Sequence, residues 1–303
     1  MKIAVIGPGA MGLLYGAKLS RSAEVVLVGH HPEHVREIRE CGVTIKRGEA
    51  ETVYSVPAVV SGEVTDPVDL IILFTKAYLT EEALRQNRSM IGPETMLLTL
   101  QNGVGHEEIL RKFTDEVHIL IGTTAQGSYR ENSHVIVNSG LGDTTIGAIA
   151  QTAGSAEKLS GVAAVFEQAG FPCVISDHVR QAVWNKLMIN ASSSVLSGVL
   201  QQAQGYVVAN AYAWEICQDL IREICDIAAG EGCSFDPREQ IERIRTHLQN
   251  APGGYTSIYV DIQNSRKTEV DYISGAVVRA AQKQGKSVPA QTMMVRLVHA
   301  MER

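Results

Sequence analysis

Apolar positions follow two regimes along this chain. Up to about residue 175 they come as short runs separated by helical periodicities; beyond it they recur only at helical spacing. The first run, Ile3-Ala4-Val5-Ile6, leads into Gly7-Pro8-Gly9-Ala10-Met11-Gly12. A helical pattern follows (Met11, Leu14, Tyr15, Ala17, Leu19), then a second run from Val25 to Val28. Leu70 to Thr75 and Met96 to Leu100 are continuously apolar, as strands of a parallel sheet covered on both faces must be. The alternating stretch from Gly42 to Val60 predicts a small strand pair inserted in that sheet. Val117 to Thr124 predicts another strand. His134 to Val137 and Thr144 to Ile146, joined across Asn138-Ser139-Gly140, predict an antiparallel hairpin. Ser155 to Ala169 reads as an amphipathic helix and Phe171 to Ile175 as a last strand.

Strand patterns then stop. Asp177 is placed to cap a long helix, so the boundary falls there: an α/β unit over 1–177 and an all-helical unit over 178–303. Further helices are expected from Trp214 to Ala229, after the Asp236-Pro237 cap, from Ser257, from Glu269 to about Gln284, and from Ala290 to Met301. Pro252-Gly253-Gly254 interrupts them.

Composition changes this picture only by exclusion. The apolar fraction of 45% and charged fraction of 20% suit a globular chain with two cores. A net charge of −6 gives no basic footprint for nucleic acid or an anionic membrane. No apolar run is long enough to span a bilayer or form a secretory leader. The five cysteines lack metal or disulfide spacing, and no histidine cluster sits at metal spacing, so the expectation is a cytoplasmic protein with reduced thiols and no metal.

The chemistry concentrates in two places. Strand, glycine turn, helix and strand together form the context in which G-x-G-x-x-G binds a dinucleotide. Gly7 makes the tight turn, Gly9 admits the pyrophosphate, and Gly12 lets helix pack on strand. The anion would rest on the helix N-terminus. An NAD site carries a carboxylate at the end of the second strand; Gly29-His30-His31 has none, which favours the 2′-phosphate of NADP, with Arg36 one turn on. The alternative is that the two histidines merely end a strand. Lys76 and Asn102 stand at carboxyl ends of parallel strands, where ligands bind in open sheets, although Asn102-Gly103 would also serve as a plain turn.

The second place is the helix expected over 182–200, which is apolar nearly all round and therefore buried. Lys186, Asn190, Ser193 and Ser197 form one polar seam along it, bordered by Ser194. A lysine there suits proton delivery to a ketone accepting a hydride, because desolvation lowers its pKa toward neutrality. The bland alternative is a lysine reaching to the surface.

Gly7-x-Gly9-x-x-Gly12, Thr75-Lys76-Ala77, Gln101-Asn102-Gly103-Val104-Gly105, Trp184-x-Lys186-Leu187-x-x-Asn190 and Thr268-Glu269-Val270-Asp271-Tyr272-Ile273-x-Gly275 together resemble the ketopantoate reductases. The resemblance spans almost the whole chain. It implies a Rossmann-type domain followed by an all-α domain like the C-terminal domain of 6-phosphogluconate dehydrogenase. It also implies a cleft between the domains, closing about a hinge near Ser176 to Val179. The implied cofactor is NADP(H), the substrate a small 2-oxo acid, the partner a second copy of the chain.

By resemblance, Lys186 is the general acid, with Glu269 near the nicotinamide ribose and helping to set its protonation. Asn102 contacts cofactor and substrate, and Asn190 and Ser257 hold substrate oxygens. Gly7 to Gly12, His30 and Lys76 line the cofactor. The chain departs from the family pattern at Ser194 and Gln204, where substrate-facing asparagines are common, at Gly254, and at His30, which replaces an arginine. The expected activity is reduction of 2-dehydropantoate to (R)-pantoate; a different branched or aromatic 2-oxo acid, and a non-catalytic NADP-binding sensor, stay open as alternatives.

Overall fold

The computed structural model describes residues 1–302; Arg303, the expected end of the second domain, lies outside the described residues. The chain separates into two compact units. One comprises residues 1–101 and 106–179; the other takes residues from Arg180 onward together with the short segment Asn102–Gly105.

In the first unit the strands are β1 (Lys2–Ile6), β2 (Glu24–Gly29), β3 (Val43–Arg47), β4 (Ala50–Tyr54), β5 (Ala58–Val60), β6 (Leu70–Leu73), β7 (Met96–Thr99), β8 (Ile119–Thr124), β9 (Gly127–Arg130), β10 (Val135–Gly140), β11 (Thr144–Ala148) and β12 (Cys173–Ile175). Helices α1 (Ala10–Leu19), α2 (Pro32–Cys41), α3 (Thr80–Gln86), α4 (His106–Leu110) and α5 (Ala153–Gln168) connect them. The main sheet runs β12-β11-β8-β7-β6-β1-β2-β5. From β8 to β5 every pairing is parallel. Numbered along the chain within this sheet, those strands run 6-5-4-1-2-3, the doubly wound dinucleotide-binding order whose switch point lies between β1 and β6. Helix α1 is fixed on the sheet by Tyr15, whose ring stacks on Phe171 at 4.1 Å. Its hydroxyl bonds Thr124 (2.8 Å) and Thr144 (2.6 Å). Burial pushes that phenol up to about 12.

Two local expectations fail. The strand pair expected inside the main sheet between Gly42 and Val60 instead pairs as β3 and β4 in a second sheet, ordered β4-β3-β10-β9, and only β5 joins the main one. Four of the five β4 residues are exposed, so β4 cannot occupy a layer covered on both faces. The hairpin expected across Asn138-Ser139-Gly140 also does not form. β10 pairs with β9 and β3, whereas β11 pairs with β8 and β12. Asn138 donates its amide to Gly127 O (3.1 Å), and the pairing shifts register between Asn138 and Gly140. Asn-Ser-Gly therefore makes a bulge within a strand, a use of these residues as local as a turn. Smaller shifts occur at two ends: Val117 lies in a 3-10 turn before β8, and Ser176, rather than Asp177, accepts the His178 N–H (3.1 Å).

The second unit is helical: α6 (Val179–Ile189), a π-turn (Asn190–Ser194), α7 (Val195–Leu200), α8 (Gln204–Ala209), α9 (Ala211–Gly230), α10 (Pro237–Asn250), α11 (Ser257–Gln263), α12 (Ser274–Lys283) and α13 (Pro289–Met301). Its core gathers Trp184, Leu187, Met188, Leu196, Leu220, Ile224, Ile244, Val277 and Val298. Asp236 caps α10 through Arg238 N (2.7 Å). Glu223 on α9 accepts the first N–H groups of α13, from Ala290 (2.9 Å) and Gln291 (2.8 Å), where the helix dipole favours a carboxylate.

Candidate active site

In the α/β unit the candidate cradle is built from backbone. The three glycines of the β1–α1 turn answer three different demands. Gly7 adopts φ +94°, and an added Cβ would lie 2.5 Å from Thr75 N, so the turn presses against the loop after β6. A Cβ on Gly12 would lie 2.1 Å from Gly7 O, so the helix can start there only without a side chain. Gly9 has nothing within 4 Å of its missing Cβ and faces open space. No acidic residue and no side-chain cap occupies the first turn of α1, leaving its N–H groups to an anion. The turn thus fits a pyrophosphate: closed behind Gly7 and Gly12, open at Gly9. Pro8, Ala10 and Met11 complete it.

The loops at the switch point are tied by a residue whose role the sequence did not reveal. Gln101, buried, donates to Thr75 O (2.7 Å) and Thr80 Oγ1 (2.9 Å), and Thr99 Oγ1 donates to its Oε1 (3.0 Å). It holds the Thr75-Lys76 loop against the end of β7. Lys76 precedes a single 3-10 turn and is half-buried. At the end of β2, His30 is exposed and packs on His31 with ring centroids 3.7 Å apart; His34 lies 5.0 Å from His31. Partial desolvation, then His31 and His34, hold His30 below its ordinary pKa, against the opposing pull of Glu33.

In the helical unit the chemistry sits on side chains. Lys186 is half-buried on α6. Desolvation pushes its ammonium down to about 8 from 10.5, and the Glu269 carboxylate works in the opposite direction. Glu269 is itself buried, one residue before the 3-10 turn Val270–Tyr272. Asn102 belongs to this unit because its loop docks on that turn: Val104 N donates to Tyr272 O (3.2 Å), and a Cβ on Gly103 (φ +97°) would lie 2.1 Å from the same oxygen. The glycine after Asn102 is therefore required by packing as well as by the turn.

The seam differs from its sequence spacing. An α-helix advances about 100° per residue, which puts Ser193 and Ser197 within about 20° of Lys186 and Ser194 about 80° away. The π-turn over Asn190–Ser194, with Val195 N donating to Asn190 O, adds one residue. Each later position then takes the direction of its predecessor, so Ser194 and Gly198 enter the seam and Ser193 and Ser197 leave it. Burial agrees. Ser193 and Ser197 have no exposed surface, and their hydroxyls donate to Ile189 O (3.3 Å) and Ser194 O (3.2 Å). A Cβ on Gly198 would lie 2.6 Å from Ile258 Cγ2, so this glycine lets α11 approach.

The structure brings three of the four departures from the family pattern together, Ser194, Gln204 and Gly254, all in the helical unit. Gln204 donates to Ser194 Oγ at 3.4 Å, and its backbone N–H bonds Gly254 O (2.9 Å). A Cβ on Gly254 would lie 3.3 Å from Gln204 Oε1. Thr256, missed in the sequence although its position before Ser257 is a cap signature, donates to Ser194 O (3.2 Å) and accepts from Tyr259 N (3.3 Å). Ser257 stands exposed in the first turn of α11 and Asn190 half-buried in the π-turn. Among the described residues no three His, Cys, Asp or Glu side chains gather as metal ligands, and no helix is long and apolar enough to cross a membrane.

The profile of the family described as "Ketopantoate reductase PanE/ApbA" matches residues 3–151, and that of its C-terminal domain matches residues 178–302. A 2-dehydropantoate 2-reductase of Pyrococcus abyssi is 31% identical over 303 residues, spanning all of this chain and 98% of its own; one of Streptococcus pyogenes is 29% identical over 306 residues, with the same coverage. Among solved structures, the ternary structure of D-mandelate dehydrogenase with NADH and anilino(oxo)acetate superposes with a TM-score of 0.94 at 33% identity, covering all of this chain and 98% of that one.

Proposed function

The chain belongs to the ketopantoate reductase family and is an oxidoreductase acting on CH–OH groups with a nicotinamide cofactor; on that premise we propose that it reduces 2-dehydropantoate to (R)-pantoate with NADPH, in the route to pantothenate and coenzyme A. The observation that carries the reading is Lys186, an ammonium on α6 desolvated to a pKa of about 8, under the influence of Glu269. NADPH, when bound, would supply the hydride for the carbonyl carbon. Lys186 gives its proton to the carbonyl oxygen as negative charge develops there, and is reprotonated from solvent. Asn190 and Ser257 hold substrate oxygens, Asn102 orients substrate and ribose, and Glu269 keeps Lys186 protonated near neutrality. Gly7 to Gly12 carry the pyrophosphate, with Lys76 beside it. The absence of a carboxylate at residues 29–31 supports NADPH.

A second reading, a branched or aromatic 2-oxo acid as substrate, is favoured by one observation. Ser194 and Gln204 bond to each other, which reduces what they offer a hydroxylated substrate, and the relative solved with anilino(oxo)acetate is a D-mandelate dehydrogenase. Steady-state oxidation of NADPH and NADH with a panel of 2-oxo acids separates the two: kcat/KM for 2-dehydropantoate well below that for another acid rejects the first reading. Lys186→Ala is expected to lower kcat by roughly 10²–10⁴ with cofactor affinity unchanged. A kcat equal to wild type, with only KM raised, would reduce Lys186 to a binding group.

A further inference from the structure

The π-turn interrupts the helix that carries Lys186, and it contains Asn190, which holds a substrate oxygen in the proposed reaction. A π-turn is disfavoured against a continuous α-helix and persists where surrounding contacts over-determine it. Besides Thr256, which donates to Ser194 O at the end of the turn, two such contacts grip its middle. Within the helix, Ser192 Oγ donates to Met188 O at 2.5 Å. From outside, the Gln291 side chain, which has no exposed surface, donates Nε2 to Ala191 O at 2.9 Å, in the middle of the turn. Gln291 is in turn held by α9: its backbone N–H bonds Glu223 (2.8 Å), and Nε2 also reaches Leu220 O (3.4 Å). A glutamine a hundred residues away thus links α9 and α13 to the extra residue of the seam helix.

We propose that Gln291 is a positioning residue, which keeps the π-turn in place and so decides that Ser194, rather than Ser193, stands in phase with Lys186 and Asn190. If the turn relaxes to an α-helix, every position after it rotates by about 100°. Ser193 and Ser197 then turn into the seam, Ser194 turns out of it, and Ser197 replaces Gly198 against α11. The clamp grips Ala191, five residues after Lys186 along the same helical run, so slackening it lets solvent nearer Lys186 and relieves its desolvation. The inference rests on Lys186 and Asn190 acting as proposed above, and its test is chosen to fail separately.

Gln291→Met keeps length and packing and removes the donor. The expected result is NADPH binding, read by nucleotide fluorescence, within twofold of wild type, and kcat/KM for the best acid lowered by at least about tenfold, as misplaced reacting groups require. Two further readouts distinguish positioning from mere stability: the order of preference among the 2-oxo acids changes, and the alkaline midpoint of kcat moves up from about 8. If Gln291→Met does not fold, Glu223→Ala, which releases the N–H groups of Ala290 and Gln291 without touching the turn, is expected to give the same shifts at smaller size. A lowered melting temperature with unchanged kcat, KM, acid preference and pH midpoint overturns the proposal. Wild-type turnover in Lys186→Ala overturns the functional reading instead.

Discussion

The glycine turn of the α/β unit and the seam of the helical unit present chemistry in opposite ways. The first uses backbone: N–H groups at the start of α1, open to a ligand at Gly9 and closed behind by the tight approaches that Gly7 and Gly12 allow. The second uses side chains on a helix, Lys186 and Asn190, followed by hydroxyls whose direction depends on helix phase. A backbone site is fixed by a few residues adjacent in sequence. A side-chain site on a helix can be re-aimed by one extra residue, and the π-turn at Asn190–Ser194 supplies that residue. The glycine site is thus robust and local, the seam adjustable and dependent on distant clamps such as Gln291 and Thr256.

The comparison can be broken most sharply at the glycines. Gly12→Ala forces a methyl against Gly7 O, which is backbone and cannot yield; a loss of about 1–3 kcal/mol of stability together with cofactor binding is expected in thermal melts and nucleotide titration. Gly9→Ala meets nothing in the protein, so its melting temperature stays at the wild-type value while NADPH affinity falls on the order of tenfold. Equal effects at the two positions would mean that Gly9 is structural and the turn holds no phosphate.

Next in size is the pH dependence of the seam. The Lys186 pKa is depressed to about 8, so the proton needed for reduction is present below that value and lost above it. Reduction should be level at neutral pH and fall about tenfold per unit well above pH 8, while the reverse oxidation rises through the same region. Stability carries the opposite mark. Between about 8 and 10.5 the unfolded lysine binds more protons than the folded one, so this group makes stability increase with pH across that window. A reduction rate level to pH 10 would sink the assignment of Lys186 as acid.

A smaller effect is expected at the end of β2. His30 is held below its ordinary pKa and is exposed, so its help to a 2′-phosphate is weak at neutral pH. His30→Arg supplies a permanent charge and should tighten NADPH binding by roughly three- to tenfold with NADH unchanged. An equal gain for both nucleotides would show that His30 does not stand near the 2′ position. The smallest test is the most discriminating for the seam. Ser194→Ala should raise substrate KM by about fivefold, as loss of one hydrogen bond does, while Ser193→Ala, whose hydroxyl is spent on Ile189 O, should change it less than about twofold. The reverse order would restore an uninterrupted helix as the better description.

Much of the site was legible because its signals are short in sequence. Gly7 to Gly12 between a strand and a helix, the strand ends at Lys76 and Asn102, and Lys186 with Asn190 one turn apart are all relations within a few residues. The misreadings share a physical cause. Asn138-Ser139-Gly140 has the composition of a turn, but the sheet pairing that makes it a bulge involves Gly127 and Ser128 on one side and Thr44 to Lys46 on the other. Asn190-Ala191-Ser192-Ser193-Ser194 carried one usable hint, a run of small polar residues with modest helix preference, yet nothing in that run says that the helix will widen. Gln101 and Gln291 look like ordinary polar residues in sequence, because what distinguishes them is where their amides end.

By itself the sequence determined the order of α/β and helical units, the cradle of three glycines and the presence of a lysine on a helix that must be buried. These follow from hydrophobic periodicity and from backbone demands that act over one or two turns. Only the tertiary structure decided which strands share which sheet, that the Asn102 loop docks on the Glu269–Tyr272 turn, and that Ser194 rather than Ser193 faces Gln204. Each of those depends on hydrogen bonds and close approaches between residues ten to 168 positions apart (Ser194 to Gln204, Val104 to Tyr272), and a pattern of neighbours along the chain does not encode them.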